Sequence, residues 1–424
     1  MDLIETFGAK IGALSEEKPQ RARQLLTAGF RANGVKNKLA SKRSSKSDRM
    51  LFQLVNRAMV TCLAKPQSNV MVSLFTPCEM LHLQGLHPYS CEGFSSYLSG
   101  AMAEQPFLHQ AEDTGIPNSL CSYHKVFIGA AQMGLMPKPR FILSTSLACD
   151  ANTLTFRHLA QFYDVPHFNV DIPFESSPQA VDYVAGQLRQ MGEFLTRQTG
   201  LPLDDGQLAR TVARSQRTMA LYHRGLRLRA GRQVLSDLTS ELLRTAAFHF
   251  LLGTPETEAY ARQLLREITT APPAQGKQLL WIHTTPYWVA PLRHLFAQST
   301  RVQVAACDMS YEGIVEADPT KPYEAMARRL VYSPFNGPAQ RRIDRALEMA
   351  KTVGADGAVW FCHWGCKHTL GGAQLAKETF EAAGIPTLVL DGDGCDRSHG
   401  GEGQLATRME AFVELLKQGK GGQA

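Results

Sequence analysis

A chain of 424 residues with 44% hydrophobic and 20% charged residues has the make-up of an ordinary globular protein, and is too long for a single core. Its net charge of +6 is modest for that length, and no apolar run approaches the roughly 18–20 residues that a membrane span needs. Nucleic-acid binding is set aside for want of a zinc finger, an RNA-binding signature or a helix-turn-helix; the opening Met1 to Thr6, with Asp2 and Glu5 and no basic stretch, predicts a cytoplasmic protein.

Residues 1–66 read as helical. From Arg49 to Leu63 the apolar Leu51, Leu54, Val55, Met59 and Cys62 recur on one helical face. The basic run Lys36 to Arg49 reads as a solvated linker. From Asn69 the pattern changes to strand–turn–helix units. Val70 to Phe75 is an apolar strand, and Thr76-Pro77 offers an N-cap with proline at the first helical position. Phe141 to Ser144 is a buried strand, Asp150 opens a helix to Tyr163, and His167 to Val170 is the next strand. Residues 178–272 are mostly helical until Ala271-Pro272-Pro273 breaks them. Leu279 to His283, Val302 to Ala306, Ala358 to Phe361 and Thr387 to Leu390 are further strands. Thr285-Pro286 repeats the earlier helix start, and Gly384 stops a helix that begins at Ala373.

This alternation predicts an α/β protein with two doubly wound parallel-sheet lobes facing a cleft, at 67–177 and 273–424. Helical segments 1–66 and 178–272 pack around them. An Ala-Cys-Asp triplet after a strand in each lobe (Ala148-Cys149-Asp150 and Ala306-Cys307-Asp308) suggests a weak repeat.

Nine cysteines in a reducing compartment do not pair as structural disulfides, and any one of them taken singly reads as buried core. No Cys-x-x-Cys pair is present, which removes the zinc-ribbon, thioredoxin and compact ferredoxin patterns. In doubly wound sheets ligands bind beyond the carboxyl ends of the strands. Cys149, Cys362 and Cys366 follow strand ends, and Cys121 precedes a helix from Ser122 to Met133, where the dipole favours a thiolate. Dispersed cysteines converging from two lobes can hold a cluster between domains.

Several segments, in order, resemble the 2-hydroxyacyl-CoA dehydratase family. They are Thr76-Pro77-Cys78-Glu79 with Gly85; Leu120-Cys121-Ser122-Tyr123-His124-Lys125; Pro139-Arg140-Phe141 through Cys149-Asp150; Val165-Pro166-His167 with Asp171-Ile172-Pro173; and Gly384-Ile385-Pro386-Thr387 through Asp393, with Thr407-Arg408-Met409-Glu410. The resemblance spans about residues 70 to 416 and fades in the middle. It implies a [4Fe–4S] cluster on Cys121, Cys149 and Cys366, with one iron left without a protein ligand. Cys78, Cys91, Cys362 and Cys395 read as core, though they could serve a double-cubane cluster instead; Cys307 reads as a decoy.

The implied reaction is radical removal of water from a 2-hydroxyacyl-CoA to give an enoyl-CoA. One-electron reduction of the thioester carbonyl acidifies a β-proton that is otherwise too weakly acidic for any side chain. His124, Tyr123 and Lys125 are candidates for proton handling or substrate contact, or simply a packed first turn of helix. No phosphate-binding Gly-x-x-x-x-Gly-Lys loop is present, and the glycine-rich Asp391 to Gly403 reads as a surface turn or a phosphate cradle. The resemblance therefore implies a separate ATP-hydrolysing iron–sulfur activator, with a homodimer or a heterodimer with a related subunit. A double-cubane reductase and a cluster-free CoA-binding or interaction subunit are the alternatives.

Overall fold

The computed structural model describes residues 3–39, 45–234, 236–311, 315–399 and 401–418. Of the basic run, residues 36–39 close a helix Pro19–Leu39 and residues 46–49 open a helix Lys46–Ala64, while residues 40–44 lie outside the described ones. Gly400, in the glycine-rich stretch, does too.

The fold class is α/β with two four-stranded parallel sheets. The first holds β1 (Asn69–Val72), β2 (His87–Ser90), β3 (Phe141–Thr145) and β4 (His167–Val170), in the order β2-β1-β3-β4. The second holds β5 (Lys277–Ile282), β6 (Val302–Cys307), β7 (Gly357–His363) and β8 (Thr387–Gly392), in the order β6-β5-β7-β8. Numbered within its own lobe, each sheet runs second, first, third, fourth. The two lobes thus share one topology, and every strand pairing in both is parallel.

Alternation along the strands sorts the cores. Val70, Val72, Phe141 and Leu143 face a large core that includes the second sheet and the helices Pro178–Thr199, Asp205–Leu228, Leu238–Phe250 and Pro255–Thr270. Met71, Ile142 and Tyr89 face the other way, into a core shared with the N-terminal helices through Ile11, Leu26 and Phe30. The middle helices therefore join the lobes, and Lys46–Ala64 packs directly on Leu238–Phe250 and Pro255–Thr270. Among the described residues no helix is long and apolar enough to cross a membrane.

Three local expectations shift. Thr76 does not cap a helix: the helix Glu79–Leu83 starts three residues later, and the Thr76 hydroxyl bonds Ser73 and the Leu143 carbonyl instead. Thr285 likewise donates to the Leu238 carbonyl, with the helix Ala290–Phe296 beginning further on. Both Thr-Pro pairs are strand-to-helix loops at matching places. The Ala-Cys-Asp echo is not matched: Cys149 follows the third strand of its lobe, whereas Cys307 ends the second strand of the other. By topology the partner of Cys149 is Cys366, which follows β7, the third strand of the second lobe.

Candidate active site

The carboxyl ends of both sheets open on a cavity of about 190 Å³. Its wall takes Glu92 and Cys121 to His124 (Ser122 apart), Ala148 and Cys149 from the first lobe, and His283, His363, Cys366 and His368 from the second. Of the nine cysteines six are buried, and the three that are partly exposed are Cys121, Cys149 and Cys366. Each of these three occupies the N-cap of a helix (Ser122–Gln132, Asp150–Tyr163 and Lys367–Leu370), and none caps it with a side-chain hydrogen bond. An N-cap ordinarily calls for Ser, Thr, Asp or Asn, so the thiols are misfits locally. Burial pushes the Cys121 thiol well up, and the neighbouring Cys366, Cys149 and Asp393 add to it. Cys149 is pushed to about 12, by burial first, with Cys366 and Glu92 contributing.

Among the described residues no three of His, Cys, Asp and Glu converge as ligands of a single ion would. A cluster asks for something else. Its irons sit at separate corners, so its thiolates stand around a space rather than meeting at a point. Thiols from three separated segments around one cavity fit that requirement, and deprotonation is what a metal would add.

The remaining cysteines are accounted for by packing. Cys78, Cys362 and Cys395 place their sulfurs 3.2, 3.9 and 3.7 Å from the carbonyls of Thr76, Thr369 and Ser95. Cys91 is buried, and none of these four lines the cavity. Cys62 and Cys307 do reach the wall but are buried, donating to the carbonyls of Pro88 at 3.5 Å and His283 at 3.3 Å.

His363, at the end of β7, orders the second-lobe side of the site. Its Nδ1 accepts the Gly394 N–H at 3.0 Å, so the ring proton sits on Nε2 and is donated to Cys121 Sγ at 3.1 Å. Burial holds this imidazole below its ordinary pKa despite the nearby Asp393. Asp393 accepts from Ser122 Oγ at 2.6 Å and from the N–H groups of Cys395 and Asp396, each at 2.7 Å, which ties the first-lobe helix to the second-lobe loop. Those bonds, with Asp396 holding the Ser398 N–H, occupy backbone donors that a phosphate cradle would need.

The three candidate proton-handling residues have different fates. Tyr123 donates to the Gly394 carbonyl at 3.0 Å and accepts from Thr284 at 2.8 Å, which makes it a pin between lobes on the cavity wall. His124 faces the cavity, 4.0 Å from Cys149 Sγ, with Nδ1 on Thr155; burial lowers its pKa to about 4 and keeps it neutral. Lys125 does not line the cavity. It is 1% exposed and pairs with Glu112 at 2.6 Å and with the Asn118 carbonyl. Lys125→Met is therefore expected to lower thermal stability by about 1–3 kcal/mol, the partly exposed Glu112 softening the loss, while leaving bound iron unchanged. Differential scanning calorimetry and iron analysis check this.

His283, His368 and Glu92 were not singled out from the sequence. His283 takes a left-handed backbone, φ +83°, as does Ala148 at φ +69°; strain of this kind in non-glycine residues gathers at functional sites. Its backbone N–H is held by Asp308, which also pairs with Arg342 at 2.8 Å. Glu92 stands two residues past β2, with its carboxylate accepting the Leu74 N–H at 3.2 Å; burial raises its pKa to about 7. For all but His368, which lies in the helix Lys367–Leu370, the signal was position. His283 and Glu92 follow strand ends and His363 closes one, as the carboxyl-edge rule applied to histidine and carboxylate would have shown.

The family model for the 2-hydroxyglutaryl-CoA dehydratase D-component matches residues 73–416. The chain belongs to that family. It is similar to the alpha subunit of (R)-phenyllactyl-CoA dehydratase from Clostridium sporogenes, 22% identical over 337 residues, which is 74% of this chain and 80% of that one. It is also 22% identical over 302 residues to subunit alpha of (R)-2-hydroxyglutaryl-CoA dehydratase from Acidaminococcus fermentans, covering 66% of this chain and 61% of the relative. The matched span of the dehydratase family model takes in the second sheet and β2 to β4 of the first, but not β1 or the helices Pro19–Leu39 and Lys46–Ala64.

Proposed function

We propose that this chain is the cluster-bearing subunit of a cytoplasmic 2-hydroxyacyl-CoA dehydratase, which removes water from the thioester to leave an enoyl-CoA. The observation that carries the reading is the separation of the cysteines: three partly exposed on one cavity wall, six buried, of which only Cys62 and Cys307 touch that wall. Cys121, Cys149 and Cys366 would hold a [4Fe–4S] cluster, which would supply low-potential one-electron chemistry. The chain's own residues do the rest. His363 donates its Nε2–H to Cys121 and steadies charge on that sulfur. Glu92, titrating near neutrality, takes the substrate's β-proton. The naming of both relatives as alpha subunits supports a second, related chain. A separate ATP-hydrolysing activator completes the reading, and the buried state of Cys78, Cys91, Cys362 and Cys395 weighs against a double cubane.

Anaerobically purified protein should carry about four irons and matching sulfide per chain, with an EPR signal on one-electron reduction. Water should be lost from a 2-hydroxyacyl-CoA only when activator, ATP and reductant are added. Iron-free protein, or ATP hydrolysis by the chain alone, would contradict the reading. For Glu92, activity is expected to fall as pH drops through about 7, because the carboxylate that accepts the proton becomes protonated. Glu92→Gln should slow turnover by ~10²–10⁴-fold and remove that limb of the pH profile.

A further inference from the structure

The cavity wall beyond the cysteines is mostly apolar. Val55 and Met59 come from Lys46–Ala64, Leu242, Leu243 and Ala246 from Leu238–Phe250, and Phe335 from the second lobe. Among the described residues no lysine or arginine lines the cavity. Its ionisable groups are four histidines, the thiols, and the carboxyls of Glu92 and Glu241. Two cations that pair with residues at or beside the wall are matched already. Arg244 is 1% exposed and pairs with Glu241; Arg342 is 3% exposed, pairs with Asp308 and stacks on Phe335 at 4.2 Å.

An anionic group entering this space would leave water without meeting a counter-charge, and would face carboxyls. A buried unpaired carboxylate is among the costliest things a protein site can hold. An uncharged hydrocarbon group would instead replace water against Met59, Leu242 and Leu243, which is favourable in proportion to the area covered. Aromatic and thioether neighbours also suit an aryl ring.

We infer that the acyl group this chain accepts carries an uncharged apolar side chain, alkyl or aryl, and not a second carboxylate; the inference rests on the thioester reading above. Discrimination comes from what the wall lacks. The hydrocarbon surface sets affinity, and the missing cation sets the rejection of diacids.

Because the cluster-loaded chain is not expected to turn over without its activator, equilibrium binding can be measured on it directly. Calorimetric titration with phenyllactyl-CoA and with 2-hydroxyglutaryl-CoA compares two ligands that share the whole coenzyme. The phenyl compound is expected to bind at least ~30-fold more tightly, the span of a buried charge left unpaired. Leu242→Lys, which brings an ammonium to the wall, is expected to narrow that ratio at least ~5-fold. Equal or tighter binding of 2-hydroxyglutaryl-CoA by the unaltered protein would overturn the inference and leave the dehydratase reading standing. If neither thioester binds more tightly than free coenzyme A, the thioester reading falls and takes the inference with it.

Discussion

Replacing Cys121, Cys149 or Cys366 one at a time by serine is expected to strip most of the iron from the protein, at least ~10-fold less per chain than the parent. A serine hydroxyl keeps the size of the thiol but is a harder and far weaker acid, so it does not become the soft anionic ligand that iron–sulfur chemistry selects. Folding should be nearly unaffected, because none of the three thiols caps its helix or is fully buried. Cys62→Ala makes the opposite pattern. It opens a small gap beside Pro88 at a modest cost in stability but leaves the iron in place. Anaerobic iron analysis beside a thermal melt separates the two. Iron retained in all three serine variants would end the cluster assignment.

Gly365→Ala is expected to have a comparable effect through geometry alone. This glycine has φ +78°, and a Cβ built on it would lie 2.5 Å from the Cys121 nitrogen and 2.7 Å from its Cα. Both obstacles are backbone, so neither can rotate away. The left-handed conformation adds about 1–2 kcal/mol for any residue with a Cβ. The lobes touch here, Gly365 of the second against Cys121 of the first, with the Asp393–Ser122 bond close by. A methyl group would hold them ajar. The variant should melt several degrees lower, load less iron, and show faster alkylation of Cys121 and Cys366 in the cluster-free form. An unchanged melt with full iron would show that the lobes adjust without cost.

Much of the first lobe was legible because its strands are continuous apolar runs bounded by turn residues. Phe141 to Ser144, the helix from Asp150 to Tyr163 and His167 to Val170 all stand within a residue of where the pattern put them. β2 was missed. It is four residues long and contains Pro88, which marks it as an edge strand and removes the pattern a central strand shows. The two Thr-Pro pairs looked like helix starts because the same residues serve turns, and only the contacts of Thr76 and Thr285 tell the cases apart. At the site, the cysteines could be grouped only through family resemblance. Their distinguishing property, partial exposure, is tertiary. Lys125 shows the limit of adjacency: consecutive residues on a helix turn by about 100°, so a neighbour of His124 can leave the cavity altogether. The neutral histidines and Glu92 carry no spacing signature, since burial and not sequence tunes them.

The shared strand order has a consequence for how the protein is made. Cys121 and Cys149 belong to one lobe and Cys366 to the equivalent place in the other, with the whole run of middle helices between. A ribosome delivers the chain from its N-terminus at about 5–20 residues per second. The first lobe therefore waits on the order of ten seconds or more for the third thiol. During that interval the half-site has two sulfurs and an unfilled face. On the cluster reading proposed above, loading has to follow synthesis of the second lobe, and a delivery factor would need to recognise the finished pair of lobes rather than a nascent segment.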